Sequence, residues 1–309
     1  MTRPFVPQPI LDAAHERAAA RAARDWATAD RLLGLIEAAG WRVVDRGTGF
    51  RLEPAHPPDL EDGSGLRYGR SDAVPSRLAE PYSCRATVVL VASERPDDLG
   101  RALDAMRATA PPETEIVVIV DGPETLEVGE PAIEVVRTSA WLGLAAAWNI
   151  GIRRAGGRVV VVMDSGVEPS GDIVSPLVTA LGDGGVAVAG AFGLRSADLR
   201  RFDACGAGDA AAIGSRLMAF RRADAAILGP LDEAFRIAND LDIWWSLVLR
   251  DRGADLPPRR AVVVGDLPLV LHEPGGRSAL PEAERTRLAR RNHYRVINRF
   301  RGRTNLSVP

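Results

Sequence analysis

A chain of 309 residues has room for one large α/β domain and a small companion. Apolar residues make up 46% and charged residues 26%, which excludes wholesale disorder. A net charge of −2 leaves no global basic field to call for nucleic acid or an anionic membrane.

Residues 10–40 read as helical, because they are Ala-rich and end at Ala38-Ala39-Gly40. Asp25 and Asp30 can each open a helical turn, so one helix and a hairpin of two both fit. WRVVDRGTGFRLEP then reads as two short strands around a Gly-containing turn. Together these form a small module over 1–53. Residues 54–85 are rich in Pro, Gly, Ser and charge, and are expected to be a linker or irregular arm. The main domain is expected over 86–309.

From Ala86 the pattern alternates. ATVVLVAS is a buried strand, and RPDDLGRALDAMRATA is an amphipathic helix with Leu99, Leu103 and Met106 on one stripe. EIVVIVDG and IEVVRT are further strands. LGLAAAWNIGIRRAGG is a helix stopped by two glycines, and RVVVVMDSG is a fourth strand. Strands alternating with helices predict a mostly parallel sheet covered on both faces. Beyond these come a helix at DIVSPLVTALGD, a strand at GVAVAGAFGL, and a strand plus helix at SRLMAFRRADAAILG. NDLDIWWSLVLRDRG is a helix that Asp240 can cap. Late strands reach His272, and PEAERTRLARRNHYRVINRFRGR is a basic C-terminal helix.

All the basic residues counted as Lys or Arg are arginine, a pattern that GC-rich coding explains. Cys84 and Cys205 fit neither a zinc site nor a disulfide framework and read as reduced thiols. The N-terminal stretch lacks a basic segment followed by an apolar one, and no apolar run has the length to span a bilayer. The expectation is a cytoplasmic protein, with peripheral contact at the inner face of a membrane still compatible.

Ligands of such sheets sit beyond the carboxyl ends of the strands. Asp121 and Asp164 both lie there. A carboxylate at that edge can accept from a ribose hydroxyl or a base N–H, or hold Mg²⁺ or Mn²⁺ against a diphosphate. Either acid can also simply cap a turn. Trp244 and Trp245 cannot share one face of a helix, so one belongs to the core and the other is free to shape a groove.

The order of these features resembles the family 2 glycosyltransferases of GT-A fold. VLVASERPDDLGRAL stands at the family's first strand, loop and helix. EIVVIVDGPET keeps Asp121-Gly122, GLAAAWNIGI keeps Asn149 with Trp148 in an Arg position, and MDSGVEP stands at the Asp-x-Asp strand end. AFRR, AFRIANDLDIWWSLVLRDRG, LVLHEPGG and ARRNHYRVINRF complete the order, over roughly residues 86–300. The resemblance implies a Rossmann-like mixed sheet flanked by helices. It also implies sugar transfer, hexosyl or deoxyhexosyl, from a nucleoside diphosphate sugar to a hydroxyl of a glycan, a lipid-linked or a small-molecule acceptor, with inversion by direct displacement. By position it implies donor contacts from Ser93, Glu94, Asp121, Asn149, Asp164 and Ser165. It places a metal on Asp164 and His272, and the general base on Asp240 with Asp242 in reserve.

Two departures matter. Gly166 stands in place of the second acid of Asp-x-Asp, and Asn239 in place of the Glu before Asp240. One carboxylate and one His would hold Mg²⁺ or Mn²⁺ mostly through water and donor phosphates. Glu168 lies two residues beyond the gap, on a turn that Pro169 stiffens. A catalytically inactive nucleotide-binding scaffold is the alternative of another class.

Residues 13–51 carry a second resemblance, to the C-terminal helical segment of cysteinyl-tRNA synthetases. The matching residues are Ala20-Arg21, Arg24-Asp25-Trp26, Ala29-Asp30, Gly40, Asp45 and Gly49. It raises an RNA-binding alternative. Acids nearly balance arginines there, however, and phosphate binding needs a basic surplus. A packing or homodimerisation module is the preferred expectation.

Overall fold

The computed structural model describes residues 6–309 apart from 48, 64, 93–95, 124–132, 254 and 273–279. The chain divides into two compact units, Met1–Arg70 and Ser71–Pro309.

In the first unit, α1 (Gln8–Ala22) and α2 (Trp26–Ala38) form a hairpin. Asp25 decides between one helix and two, since its side chain accepts from the Thr28 N–H at 3.1 Å and caps α2. Strands β1 (Trp41–Arg46) and β2 (Gly49–Pro54) pair antiparallel, as their Gly-containing turn predicts. Asp45 holds Arg17 at 2.9 Å and Arg21 at 2.6 Å, which neutralises two arginines that a phosphate would need. The stretch expected to be irregular contains an antiparallel hairpin, β3 (Leu60–Asp62) and β4 (Gly65–Tyr68). Its short polar strands carry no apolar alternation, so the sequence pattern is silent there.

The second unit runs β5 (Cys84–Val91), α3 (Pro96–Thr109), β6 (Thr114–Val120), β7 (Glu134–Thr138), α4 (Leu144–Arg154) and β8 (Gly157–Asp164). Then follow β9 (Val167–Pro169), α5 (Val174–Ala180), β10 (Val186–Gly190), β11 (Gly193–Arg195), β12 (Asp203–Cys205), β13 (Gly208–Ala210) and β14 (Ala212–Ile213). The last elements are β15 (Leu217–Arg221), α6 (Arg222–Leu228), α7 (Leu241–Arg250), β16 (Arg260–Val263), β17 (Leu269–Leu271) and α8 (Glu282–Arg299). Within this unit the main sheet has the order β13-β16-β10-β15-β8-β5-β6-β7. Strands β8, β5, β6 and β7 are parallel, whereas β15 is antiparallel to both β8 and β10. The sheet is therefore mixed.

Alternation sorts the faces. Val88, Leu90, Val118, Val120, Val161 and Met163 pack with Leu99, Leu103 and Met106 of α3 and Leu177 of α5. The residues between them face the other way. Gly151 of α4 lies so close to Val89 that an added Cβ would come within 2.2 Å of it, and Phe220 meets Trp245 of α7 edge-on at 5.6 Å. Trp245 is the core tryptophan, and Trp244 packs between Phe235 and Phe300. No helix among the described residues is long and apolar enough to cross a membrane.

A buried polar knot ties the amino ends of the central strands. Glu115 of β6 accepts from Thr87 at 2.7 Å, from the Gly156 N–H at 2.8 Å and from Arg77 at 2.6 Å. Burial pushes its carboxyl up, but these bonds outweigh burial and hold it below the usual carboxylate range. A carboxyl lowered on folding stabilises the fold above its unfolded value, and that contribution is lost as pH falls through the folded value. Glu115→Gln should therefore cost about 1–3 kcal/mol at neutral pH. The deficit should close as both proteins are titrated below about pH 4, which thermal unfolding across pH measures.

Candidate functional site

The parallel strands end together. Asp164 of β8 registers with Val91 of β5, and the Ala92 N–H donates to the Ile119 carbonyl of β6, two residues before Asp121. Asp121 and Asp164 therefore share the carboxyl edge, separated by the end of β5. Ser93 and Glu94, expected at the same edge, lie outside the described residues.

Asp121 is firmly engaged. It accepts from the Leu142 and Gly143 N–H groups at 2.8 Å each and from Thr138 at 2.9 Å. Burial raises its carboxyl, and those three bonds oppose the rise. The loop it holds leads into α4 through Gly143. There φ is +103°, and a Cβ would come within 2.7 Å of the Arg236 backbone, so only glycine fits. Arg236 stacks on Trp141 at 4.1 Å and donates to its carbonyl at 2.8 Å.

Asn149 is buried on α4. Its amide donates to the Leu231 carbonyl at 3.0 Å and to Glu233 at 2.9 Å, and accepts from the Leu231 N–H at 2.8 Å. Both amide protons are used. Its place in the structure is a brace between α4 and the loop that leads to Asp240, rather than the donor contact expected of it.

Asp164 is exposed and its Oδ1 accepts from the Gly166 N–H at 2.7 Å, while Ser165 beside it is buried. An added Cβ on Gly166 would lie 2.9 Å from Asp164 Oδ1 and 3.3 Å from the His272 carbonyl. The closer contact is with the Asp164 side chain itself, so the missing acid lets that carboxylate fold back onto its own turn. The His272 N–H donates to the Gly166 carbonyl at 2.9 Å, which brings the late strand to Asp164 as expected. Its ring, however, meets Glu168 at 2.6 Å, and Glu168 also faces Arg101 at 3.5 Å.

This donor set was tested against the Mg²⁺ or Mn²⁺ expectation. Such ions take near-octahedral oxygen shells. Here Asp164 shares one oxygen with a backbone N–H, His272 is engaged by Glu168, and Gly166 brings no oxygen. No group of three or more His, Cys, Asp or Glu among the described residues is arranged to hold a metal. Among the described residues no protein-built metal centre is preformed. His272 Nε2 pairs with Glu168, the kind of carboxylate partner that also orients a metal-ligating imidazole through its second nitrogen.

A turn joins Asp164 to the start of α7. The Asp164 N–H donates to the Arg216 carbonyl at 2.9 Å, and the adjacent Ser215 N–H donates to Asp242 Oδ2 at 3.0 Å. Asp242 is partly buried; desolvation raises its carboxyl, and the Asp240 charge adds to the rise against the Ser215 and Ile243 bonds. Asp240 differs from the expected cap. Its backbone is left-handed, φ 61° and ψ 1°, and its side chain makes no capping bond. With that backbone the carboxylate is turned off the helix N–H groups. Burial raises its carboxyl, and His293, with Nδ1 3.7 Å from Oδ2, opposes the rise. The side chain remains 23% exposed. A carboxylate with raised proton affinity, free of capping and open to solvent is suited to accept a proton. Ser215, Arg216 and His293 carry no signal in the motifs, except that His293 stands inside the basic C-terminal segment.

Residues 87–205 match the family model described as Glycosyl transferase family 2. The crystal structure of GalNAc-T7 with UDP, GalNAc and Mn²⁺ is 16% identical with a TM-score of 0.56, over 70% of this chain and 48% of that one. Mannosyltransferase PcManGT from Pyrobaculum calidifontis, in complex with GDP-Man and Mn²⁺, is 21% identical with a TM-score of 0.49, over 73% and 68%. Cysteine–tRNA ligase of Opitutus terrae is 50% identical over 50 residues, 16% of this chain and 11% of that one. Cysteine–tRNA ligase 1 of Burkholderia lata is 44% identical over 61 residues, 17% and 13%. The chain thus spans about half of GalNAc-T7 and about a tenth of the ligases. The family model and the GalNAc-T7 fold bear out the family 2 resemblance and the GT-A fold class read from the ordered motifs.

Gly166→Asp should not create a metal clamp. Its new side chain should push Asp164 off the Gly166 N–H, and loss of that bond should lower stability by about 0.5–1.5 kcal/mol, read by thermal unfolding. Calorimetry should find Mn²⁺ binding no tighter than in the wild-type chain; a tight new Mn²⁺ site would contradict the reading of Gly166.

Proposed function

We propose that the second unit transfers a sugar from a nucleoside diphosphate sugar to an acceptor hydroxyl, with inversion, and that Asp240 is the general base. The observation that carries this is Asp240 itself: an uncapped, partly open carboxylate in a left-handed backbone, beside the edge where Asp164 and Asp121 lie. Backbone strain of this kind persists only where the surroundings impose it, and it gathers at working sites. The family match and the GalNAc-T7 structure, solved with UDP and GalNAc, support the substrate class.

In this reading the donor nucleotide lies over the ends of β5, β6 and β8. Asp164 Oδ2 accepts from a ribose hydroxyl. Asp121 shapes the pocket by holding Leu142 and Gly143, and its remaining lone pairs face the donor. The acceptor hydroxyl approaches the anomeric carbon from the side of α7. Asp240 removes its proton as the new C–O bond forms and the bond to the diphosphate breaks. Asp242 serves as an anchor: its two oxygens accept from the Ser215 and Ile243 N–H groups, which fixes the Ser215 turn. Charge that builds on the leaving diphosphate needs donors already in place. His272, held by Glu168 beside the Gly166 turn, is placed to serve when protonated. A hexose or deoxyhexose donor and a glycan, lipid-linked or small-molecule acceptor fit this chemistry.

A thermal-shift screen of nucleoside diphosphate sugars, with and without Mn²⁺, tests the reading. One nucleotide class should raise Tm, by an amount set by concentration over Kd. Mn²⁺ alone should not raise it. Absence of a shift with every donor would sink the donor-binding claim, and a shift with Mn²⁺ alone would sink the statement that no metal centre is preformed.

A further inference from the structure

We propose that His293, delivered by α8, is a positioning residue that keeps the Asp240 carboxylate ionised and oriented for base catalysis. The proposal rests on the reading of Asp240 as the base and names what makes that base usable.

Two carboxylates sit two residues apart at the start of α7. Both are partly buried, and Asp240 has no capping bond to share its charge. Burial raises the Asp240 carboxyl, and a protonated Asp240 cannot accept a proton from a sugar hydroxyl. A basic partner close to the carboxylate opposes that rise. His293 Nδ1 lies 3.7 Å from Asp240 Oδ2, and its side chain is 45% exposed, open to exchange protons with solvent.

The surrounding charges are otherwise engaged. On the approach loop, Asp232 is bonded to Arg295 of α8 at 2.7 Å. Arg236 is stacked on Trp141 and lies towards Asp121. On α7, Asp242 bonds the Ser215 N–H. On α8, Arg290 lies 5.8 Å from the Tyr294 ring. Among the described residues, His293 is the basic group that meets Asp240.

Its placement is built into the fold. Asn292 is completely buried and donates to the Asn239 carbonyl at 2.7 Å. With the Arg295–Asp232 bond, α8 grips the loop on both sides of its approach to Asp240, and His293 lies between the two grips. Phe300, at the end of α8, packs edge-on against Trp244 at 5.7 Å. A residue that served only to pack would not need the imidazole turned to the carboxylate.

The test follows the Asp240 carboxyl by ¹³C NMR titration, assigned by difference from Asp240→Asn, in the wild-type chain, His293→Gln and His293→Lys. The Gln variant should move the Asp240 titration up by about one pH unit, and the Lys variant should return it to or below the wild-type value. In turnover, the acid limb of the kcat/KM profile should shift in the same sense. The Gln variant should lose about tenfold at the acid end, keep its alkaline plateau, and be rescued by Lys. Should the Gln variant fold poorly, the Lys variant against the wild-type chain still reads the sign. An unmoved Asp240 titration, or equal loss in both variants at every pH, would overturn the proposal. An unmoved titration in a chain that transfers sugar fails the proposal alone. A chain that transfers no sugar from any donor, whatever its titration, fails the base assignment on which the proposal rests.

Discussion

The site depends on one topological fact: β15 enters the sheet antiparallel, beside β8. Parallel neighbours would have sent their turns to the opposite edge. Because β15 runs the other way, Leu217 pairs with Met163 and the residues before it reach the carboxyl edge. There two consecutive residues act in opposite directions. Arg216 offers its carbonyl to the Asp164 N–H, and Ser215 offers its N–H to Asp242. A strand end that would otherwise be independent of α7 is thus pinned to it. The acids assigned to the donor and to the acceptor become parts of one edge.

Within that edge the acids divide by what already binds them. Asp121 and Asp242 are engaged by backbone N–H groups and serve the fold first. Among the described residues Asp164 uses one oxygen, on the Gly166 N–H, and Asp240 is left without a capping bond. The division has a physical source in backbone conformation. A first-turn acid in ordinary geometry accepts from nearby N–H groups, as Asp242 does, whereas the left-handed backbone of Asp240 turns its carboxylate out of their reach. Gly166 is a different case: its missing side chain leaves space for the Asp164 carboxylate to fold back onto the Gly166 N–H.

Most of the central α/β pattern is legible in the sequence. The runs that became β5, β6 and β8 are apolar because they are buried on both faces, and α3 shows its stripe because only one side is covered. The hairpin β3–β4 and the strands β9 and β11–β14 escape notice, since strands of two to four residues leave no periodicity to read. The single strand expected at GVAVAGAFGL is two, β10 and β11. At the site, Asp121, Asp164, Asp240 and His272 are legible as strand-end or motif positions. The engagement of Asn149 with Leu231 and Glu233, of His272 with Glu168, and of Asp240 with His293 is not, because each partner comes from a distant segment of the chain.

The central claim is that Asp240 acts on the acceptor and not on the donor. Donor affinity and single-turnover transfer of Asp240→Asn, measured side by side, test it most directly. Asn tolerates the left-handed backbone and keeps the size of the side chain while removing the base. The account predicts unchanged donor affinity with transfer slowed about 10²–10⁴-fold, the range for loss of a general base. Transfer retained at the wild-type rate, or a loss explained wholly by weaker donor binding, would contradict it.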